Sequence, residues 1–361
     1  MSALEHEEII VRTGPRSGLP VIVAIHSTRL GQAVGGCRIW RYDHWRDGLD
    51  DALRLAASMT RKCAVAGLAN GGGKTVVAVP SGAKPSDETA LGDGTVLHAH
   101  TVLDHARRAD ALRDVGDVIA SLDGRYATGP DVGTTPADMV TIGERTEHVF
   151  CQPPEHGGSG DSSPHTATGV AAALRAVCER RFSSPELGKR RLAIAGLGSV
   201  GGRLARQLAD AGASLVVSDI DPAKQALAKE LGADWAEPDA ILTADADVLV
   251  PAALGGVLTR DIVPLLRCGA VAGPANNQLA EPVVADLLHN RGITWVPDYV
   301  ASAGGVIHAL SVELHRETAP DAESRVRGIQ RTVGEILDAA DSNGTTPAEA
   351  ARALAAERLE R

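Results

Sequence analysis

The sequence predicts an α/β protein of two domains, the second built on a doubly wound parallel sheet. Three observations carry that expectation. The chain has 361 residues, long for one domain. Residues 151–164 are dominated by glycine, proline and serine and read as a linker. Beyond them, strand-like apolar runs at 191–195, 214–218, 247–250, 269–272 and 293–296 are mostly separated by helical stretches. Such alternation folds as a parallel sheet with helices on both faces. The domains are set at 1–152 and 153–344, with 345–361 expected to pack back on the first.

Composition narrows the classes. With 44% hydrophobic and 23% charged residues the chain is ordinary for a soluble protein. No apolar run approaches the roughly 18 residues needed to span a bilayer, so no membrane partner is expected. Residues 1–8 are acidic and lack the apolar stretch of a secretory signal. A formal charge of -10 and an aromatic content of 2% argue against nucleic acid as a partner. Cys37, Cys63, Cys151, Cys178 and Cys268 are far apart and form no C-x-x-C. They are expected as free thiols in a cytoplasmic protein, with no legible thiolate-activating partner.

In the first domain, 20–26 reads as a buried strand and 34–40 as another, interrupted by Gly35 and Gly36. Leu53, Ala56, Ala57, Met59 and Cys63 have helical spacing within 50–65. A loop over 66–73 leads to a strand over 74–79, stopped by Pro80. A helix is expected at 96–111, a strand near 126–128, and a helix opened by Pro136 and ending near 145. In the second domain, helices are read at 166–181 and 200–211. The tail from 303 is helical, breaks at 344–347 and ends in an Ala-rich helix over 348–361.

The sharpest motif is Gly196, Gly198 and Gly201 in the G-x-G-x-x-G spacing. An apolar strand precedes it and a helix follows. Glycines there let a pyrophosphate approach backbone N–H groups at the helix N-terminus. Asp219 ends the next strand, about 20 residues on, where a carboxylate accepts ribose hydroxyls and repels a 2'-phosphate. This points to a Rossmann-type dinucleotide-binding domain and to NAD as cofactor, although Lys224 lies nearby. The plainer alternative is a tight strand–helix turn without a ligand.

Lys62 lies at the end of the first helix, Lys74 follows Gly71, Gly72 and Gly73, and Asp131 follows Gly129 and Pro130. Singly, each would be a surface charge. A lysine between a triple glycine and an apolar strand is out of place on plain solvated surface, and an acid in a strand-end loop is placed as a site residue.

Taken with their surroundings, segments 30–36, 59–62, 67–75, 129–134, 158–163, 274–279 and 297–307 resemble the glutamate/leucine/phenylalanine/valine dehydrogenase family, in family order and over nearly the whole chain. The resemblance implies a substrate-binding first domain, an NAD-dependent oxidative deamination of an L-amino acid to a 2-oxo acid and ammonia, and a homo-oligomer. It implies that Lys62, with the backbone at Gly36, holds the α-carboxylate, that Lys74 is the catalytic lysine and that Asp131 exchanges protons with the amino group and the reacting water. It implies a substrate pocket of Val34, Gly129, Pro130, Asn277, Val300, Ala301 and Val306. Cofactor contacts are implied at Thr166, Gly196, Gly198, Ser199, Val200, Gly201, Asp219, Ile220, Ala253 and Asn276.

The chemistry asks for such groups. Water attacking an iminium at Cα needs a base, and a lysine titrating near ~10.4 in water is too protonated to serve. Desolvation and a neighbouring cation such as Lys62 act to bring Lys74 down toward ~7–8. Val34 stands where glutamate-specific members carry a lysine, and a side-chain carboxylate buried against valine would be unpaired. The substrate is therefore expected to be hydrophobic, of leucine, valine or phenylalanine type. The small residue at Gly129 resembles phenylalanine enzymes, in which it leaves ring space; the N-terminal third and 132–135 resemble leucine and valine enzymes. Two other readings are an NAD-binding sensor or inactive scaffold with this fold, and a dehydrogenase of a different small acid.

The chain departs from the family at Cys37 (usually Thr), at Ser302 (usually Asn) and at Pro251, Ala252 and Ala253 (usually Pro-Cys-Ala). Between Lys74 and Asp131 it carries roughly twenty extra residues, placed within 81–115, a length that a surface loop tolerates. His98, His100 and His105 in that stretch are read as solvated helix histidines, with no metal site expected.

Overall fold

The computed structural model describes residues 5–81 and 102–360. His98, His100 and the start of the expected 96–111 helix lie outside the described residues. The chain divides into two compact units. One comprises Met1–Asp161, Glu313–His315 and Arg358–Arg361, the other Ser162–Val312 and Arg316–Glu357.

The first unit contains β1 (Glu8–Thr13), β2 (Pro20–Ser27), β3 (Ala33–Tyr42), α1 (Trp45–Ala66), β4 (Gly71–Pro80), α2 (His105–Ala120), β5 (Tyr126–Pro130) and α3 (Pro136–Gly143). The strands form one mixed sheet in the order β1-β2-β4-β3-β5. β2 is antiparallel to β1 and β4, and β3 is parallel to β4 and β5. Strand alternation sorts side chains between two faces. Val21, Val23, Ile25, Ile39, Val77 and Val79 join a core with α2 and α3 residues such as Leu112, Ile119 and Met139. Ile22, Ala24, Val76 and Ala78 pack on Ala52 and Ala56 of α1. The even-numbered face of β3 and β4, which carries Gly36, Arg38 and Lys74, is therefore the α1 face.

Local chemistry fixes the ends. His44 and Asp47 form a capping box at the start of α1, which Gly67 closes in the left-handed conformation at φ 67°. Thr135 and Asp138 form a second box, with Pro136 in the first turn of α3. Among the elements that differ from expectation, α2 runs on to Ala120, past the expected end near 111. β1 is a strand through its pairing with β2, from Glu8 opposite Ile25 to Thr13 opposite Pro20; its own alternation is weak. β4 starts at Gly71, so the triple glycine is strand rather than loop. The glycines are there for close approach: a Cβ on Gly72 would lie 2.0 Å from the Thr60 nitrogen of α1, and one on Gly73 2.7 Å from the Tyr126 ring.

The linker groups with the first unit up to Asp161, beyond the expected boundary at 152. Its backbone is tied there, because the N–H groups of Cys151 and Ser159 both donate to the Glu313 carboxylate, at 2.9 and 2.8 Å. Of 345–361, only Arg358–Arg361 group with the first unit. Arg358 bonds the carbonyls of Ala64 and Val65 at the end of α1, whereas Ala348 packs on the core of the second unit.

The second unit contains α4 (Ser163–Phe182), β6 (Arg191–Ala195), α5 (Ser199–Asp210), β7 (Ser214–Ser218), α6 (Gln225–Glu230), β8 (Asp234–Trp235), β9 (Val248–Pro251), β10 (Ala270–Val271), α7 (Val284–Asn290), β11 (Thr294–Trp295), α8 (Asp298–Ala301), α9 (Gly304–Ala309), α10 (Ala319–Arg327), α11 (Ile329–Asn343) and α12 (Pro347–Glu360). Its strands are all parallel, in the order β11-β10-β9-β6-β7-β8. That is the doubly wound Rossmann order, which reverses direction between β6 and β9. All five cysteines are free thiols. Among the described residues no helix is long and apolar enough to cross a membrane.

The loop after β5 depends on Gly133. Its φ is 83°, and a Cβ would lie 2.0 Å from the Ile39 carbonyl oxygen. Gly133→Ala is expected to lower unfolding stability by more than about 1 kcal/mol, read as the shift in urea midpoint.

Candidate functional site

Three strands bring the first-unit site together. β3 supplies Gly36 and Arg38, β4 supplies Lys74, and the turn after β5 supplies Asp131. Gly36 pairs with Gly129 across β3 and β5, and Cys37 with Thr75 across β3 and β4. Lys74 is 4% exposed, and its Nζ donates to Asp131 Oδ2 at 2.6 Å. A Cβ on Gly36 would lie 2.6 Å from Asp131 Cβ and 3.2 Å from Lys74 Nζ. Any larger residue would displace the pair. The turn is held by the Thr134 hydroxyl, which accepts from the Asp131 N–H at 2.9 Å and donates to the Cys37 carbonyl at 2.7 Å.

Arg38 is the residue that sequence reasoning missed. Its Nε donates to Asp131 Oδ2 at 2.9 Å and its Nη1 to Asp51 Oδ2 at 2.7 Å. Asp51 also accepts from the Tyr42 hydroxyl at 2.8 Å. The signal was present: Arg38 lies two residues beyond Gly36, so strand periodicity places both on one face.

Charge decides the state of Asp131. Burial acts to raise its carboxyl, but the Lys74 ammonium and the Arg38 guanidinium outweigh that and hold it at about 2, below its ordinary 3.8. Burial pushes the neighbouring Cys37 thiol up to about 12, so Cys37 is no thiolate nucleophile.

The other expected residues of this unit stand as follows. Lys62 is half-buried near the end of α1, the helix that Gly72 lets approach β4. Val34 and Gly129 are buried and Pro130 is half-buried. A Cβ on Gly129 would lie 2.3 Å from the Phe150 ring. On that side of Gly129 the expected ring space is filled by the protein's own Phe150, which is 6% exposed.

In the second unit, the glycine motif sits where the strand order reverses. Gly196 has φ 114° and packs on Ala253, and a Cβ on Gly201 would strike the Gly196 carbonyl at 2.0 Å. Gly198, at the start of α5, faces open space. Ser199 and Ala253 are exposed and Val200 is half-buried. A groove beside the motif is lined by Gly196, Ser218, Asp219, Ile220, Ala253 and Leu254, among others. Asp219 Oδ2 accepts from the Leu197 N–H at 2.6 Å, and its Oδ1 accepts from the Asp221 N–H at 2.9 Å. Ile220 and Leu254 are 76% and 74% exposed at the groove. The Ser218 hydroxyl is buried there without a hydrogen-bond partner. A polar orphan, an open glycine and two exposed apolar side chains fit an adenosine pyrophosphate better than a ligand-free turn.

The Thr166 hydroxyl donates to the Ser162 carbonyl at 3.0 Å and sits where a Cβ on Gly305 would fall. Asn276 and Asn277 are exposed; Asn277 has φ 53°, and its N–H donates to the Asp298 carboxylate. Val300, Ala301 and Ser302 are buried, and Val306 is half-buried.

The fold and site thus define a two-unit α/β protein with a buried lysine–carboxylate pair in one unit and a dinucleotide-binding architecture in the other. Comparison with known proteins makes this specific. Residues 7–91 match the model of the Glu/Leu/Phe/Val dehydrogenase dimerisation domain, and residues 218–361 that of glutamate/leucine/phenylalanine/valine dehydrogenase. A leucine dehydrogenase of Bacillus subtilis is 37% identical over 100% of this chain and 93% of its own length. A phenylalanine dehydrogenase of Caldalkalibacillus thermarum is 36% identical over 99% of this chain and 92% of its own. The crystal structure of an L-tryptophan dehydrogenase from Nostoc punctiforme superposes with a TM-score of 0.81 at 34% identity, covering 99% of this chain and 96% of that one. The chain belongs to the glutamate/leucine/phenylalanine/valine dehydrogenase family.

Because Asp131 is held below its ordinary value, its ion pairs stabilise the fold at neutral pH, and that stabilisation is lost as pH falls from about 3.8 through about 2. Asp131→Asn lacks this carboxylate. The difference in unfolding free energy between wild type and variant is expected to shrink across that window in urea titrations.

Proposed function

We propose that the protein catalyses the reversible oxidative deamination of a hydrophobic L-amino acid, of leucine, valine or phenylalanine type, to the 2-oxo acid and ammonia, with NAD as oxidant. The observation that carries the reading is the buried Lys74–Asp131 pair at 2.6 Å beside Gly36, in a chain of this family.

NAD supplies a two-electron acceptor for the hydrogen at Cα. The residues proposed to hold it are Gly196, Gly198, Ser199, Val200 and Gly201 at the pyrophosphate, Asp219 and Ile220 at the adenosine, and Thr166, Ala253 and Asn276 towards the other end. The fixed carboxylate of Asp219 favours NAD over its 2'-phosphorylated form by charge repulsion.

The chain's own groups do the remaining work. Lys62 and the Gly36 backbone bind the α-carboxylate, and the absence of a Cβ at Gly36 brings substrate against the pair. Once Cα is oxidised, Lys74 takes a proton from the attacking water. Asp131 accepts hydrogen bonds from the amino group and passes protons between it and the water. The tetrahedral carbinolamine loses ammonia to leave the carbonyl. Val34 of the first unit is one apolar substrate contact, beside which a second carboxylate would be unpaired, and Val300, Ala301 and Val306 are the apolar contacts that the second unit supplies. The first unit is the substrate-binding and oligomerising part of a homo-oligomer, the second the NAD-binding part, and the enzyme works in the cytoplasm.

The test follows absorbance of reduced cofactor with NAD or NADP and L-leucine, L-valine, L-isoleucine, L-phenylalanine or L-tryptophan. Turnover with NAD and at least one of these is expected; none with any would leave the scaffold reading. Lys74→Ala is expected to lower kcat by about 10²–10⁴-fold with a smaller change in KM. Asp219→Ser is expected to narrow the preference for NAD by on the order of tenfold, about 1.4 kcal/mol.

A further inference from the structure

We infer that Arg38 is a positioning residue for Asp131: it fixes Oδ2 of the carboxylate, leaving Oδ1 to the reacting amino group and water, and keeps the carboxylate ionised whichever protonation state Lys74 is in. This rests on the proposed deamination, in which Lys74 and Asp131 handle the protons.

The geometry is specific to one oxygen. Lys74 Nζ and Arg38 Nε both donate to Oδ2, at 2.6 and 2.9 Å. Among the described residues, no donor is bonded to Oδ1. Arg38 is itself anchored at its other end, since Nη1 bonds Asp51 Oδ2 at 2.7 Å. Asp51 is held in turn by the Tyr42 hydroxyl and by Arg54. A planar guanidinium bonded to two carboxylates cannot swing without breaking both bonds. Arg38 is 19% exposed and Asp51 15%, so solvent screens the chain little.

The two cations are not equivalent. A lysine acting as base is neutral for part of each cycle, whereas a guanidinium is always charged. With Lys74 alone, each loss of its proton would leave Asp131 an unpaired, half-buried carboxylate, free to rotate and to take up the proton itself. Arg38 prevents both. Asp131 then relays protons without storing them, and the stored proton resides on Lys74. The charged groups that bond Asp131 are Lys74 on β4 and Arg38 on β3; the Cys37 thiol on β3 and the Tyr126 hydroxyl on β5 also interact with its charge, and Asp51, Tyr42 and Arg54 act on it through Arg38. Arg38 is the fixed positive charge that bonds the carboxylate directly.

The test uses the full chain with Arg38→Gln and Arg38→Lys. In the glutamine variant, the acid limb of kcat/KM against pH is expected to move up by roughly one unit, with a fall in kcat. In the lysine variant the limb is expected to return towards its wild-type position, while kcat stays low because an ammonium on a flexible stem lacks the planar fork that fixes Asp131 against Asp51. An unmoved limb in Arg38→Gln, or equal shifts in both variants, would overturn the inference. A readout independent of turnover is the double-mutant cycle of Arg38→Gln with Asp131→Asn, followed by urea unfolding near pH 7 and near pH 3. Coupling near pH 7 that weakens near pH 3 is expected; none near pH 7 refutes the assignment. A wild type inert towards every amino acid would refute the proposed function, and the cycle would still decide whether Arg38 governs Asp131.

Discussion

One oxygen of one carboxylate organises the first unit. Asp131 Oδ2 receives both Lys74 and Arg38, and three strands must be in register for the groups to meet. A partly buried ion pair of this kind contributes less net stability than its Coulomb attraction alone would give, because desolvation offsets part of it. The fold stabilises the arrangement elsewhere, in the apolar clusters on either side of the sheet. What the ion pair contributes is definition: a carboxylate with one side occupied and a lysine whose position is set before any ligand arrives.

Glycine makes that definition possible. Gly36 lets the Asp131 side chain and the Lys74 ammonium close on β3, and Gly72 and Gly73 let α1 and Tyr126 close on β4. These positions have ordinary strand geometry. The demand is for space rather than for a left-handed backbone, and it explains why glycines cluster in the middle of a sheet, where their intrinsic cost is otherwise high.

The same fact explains what the sequence could and could not disclose. Lys74, Asp131 and the G-x-G-x-x-G motif were legible because each stands in a strong local context, and the second unit's strands were legible because buried parallel strands are continuous apolar runs. The strand character of Gly71–Gly73 was not, since glycine there answers to tertiary neighbours that local propensity does not encode. β1 was hidden because its partner, not its own pattern, makes it a strand. Arg38 was hidden among the surface-like charges of 38–54, and only its parity with Gly36 marks it. The hold of Glu313 on Cys151 and Ser159 joins residues more than 150 positions apart, and no local reading reaches that far. The ring space expected from Gly129 was a statement about one residue, and Phe150, 21 positions on, answers it.

Asp219 carries the corresponding argument in the second unit. Its two oxygens are already bound to the N–H groups of Leu197 and Asp221, so the carboxylate cannot turn away from an approaching ligand. Each oxygen keeps a further lone pair and can still accept a ribose hydroxyl. The charge that would repel a phosphate is therefore fixed by the hydrogen bonds that shape the glycine loop. Removing it would loosen the loop as well as remove the charge on which the proposed preference for NAD rests, so dinucleotide affinity and that proposed preference are coupled through one side chain.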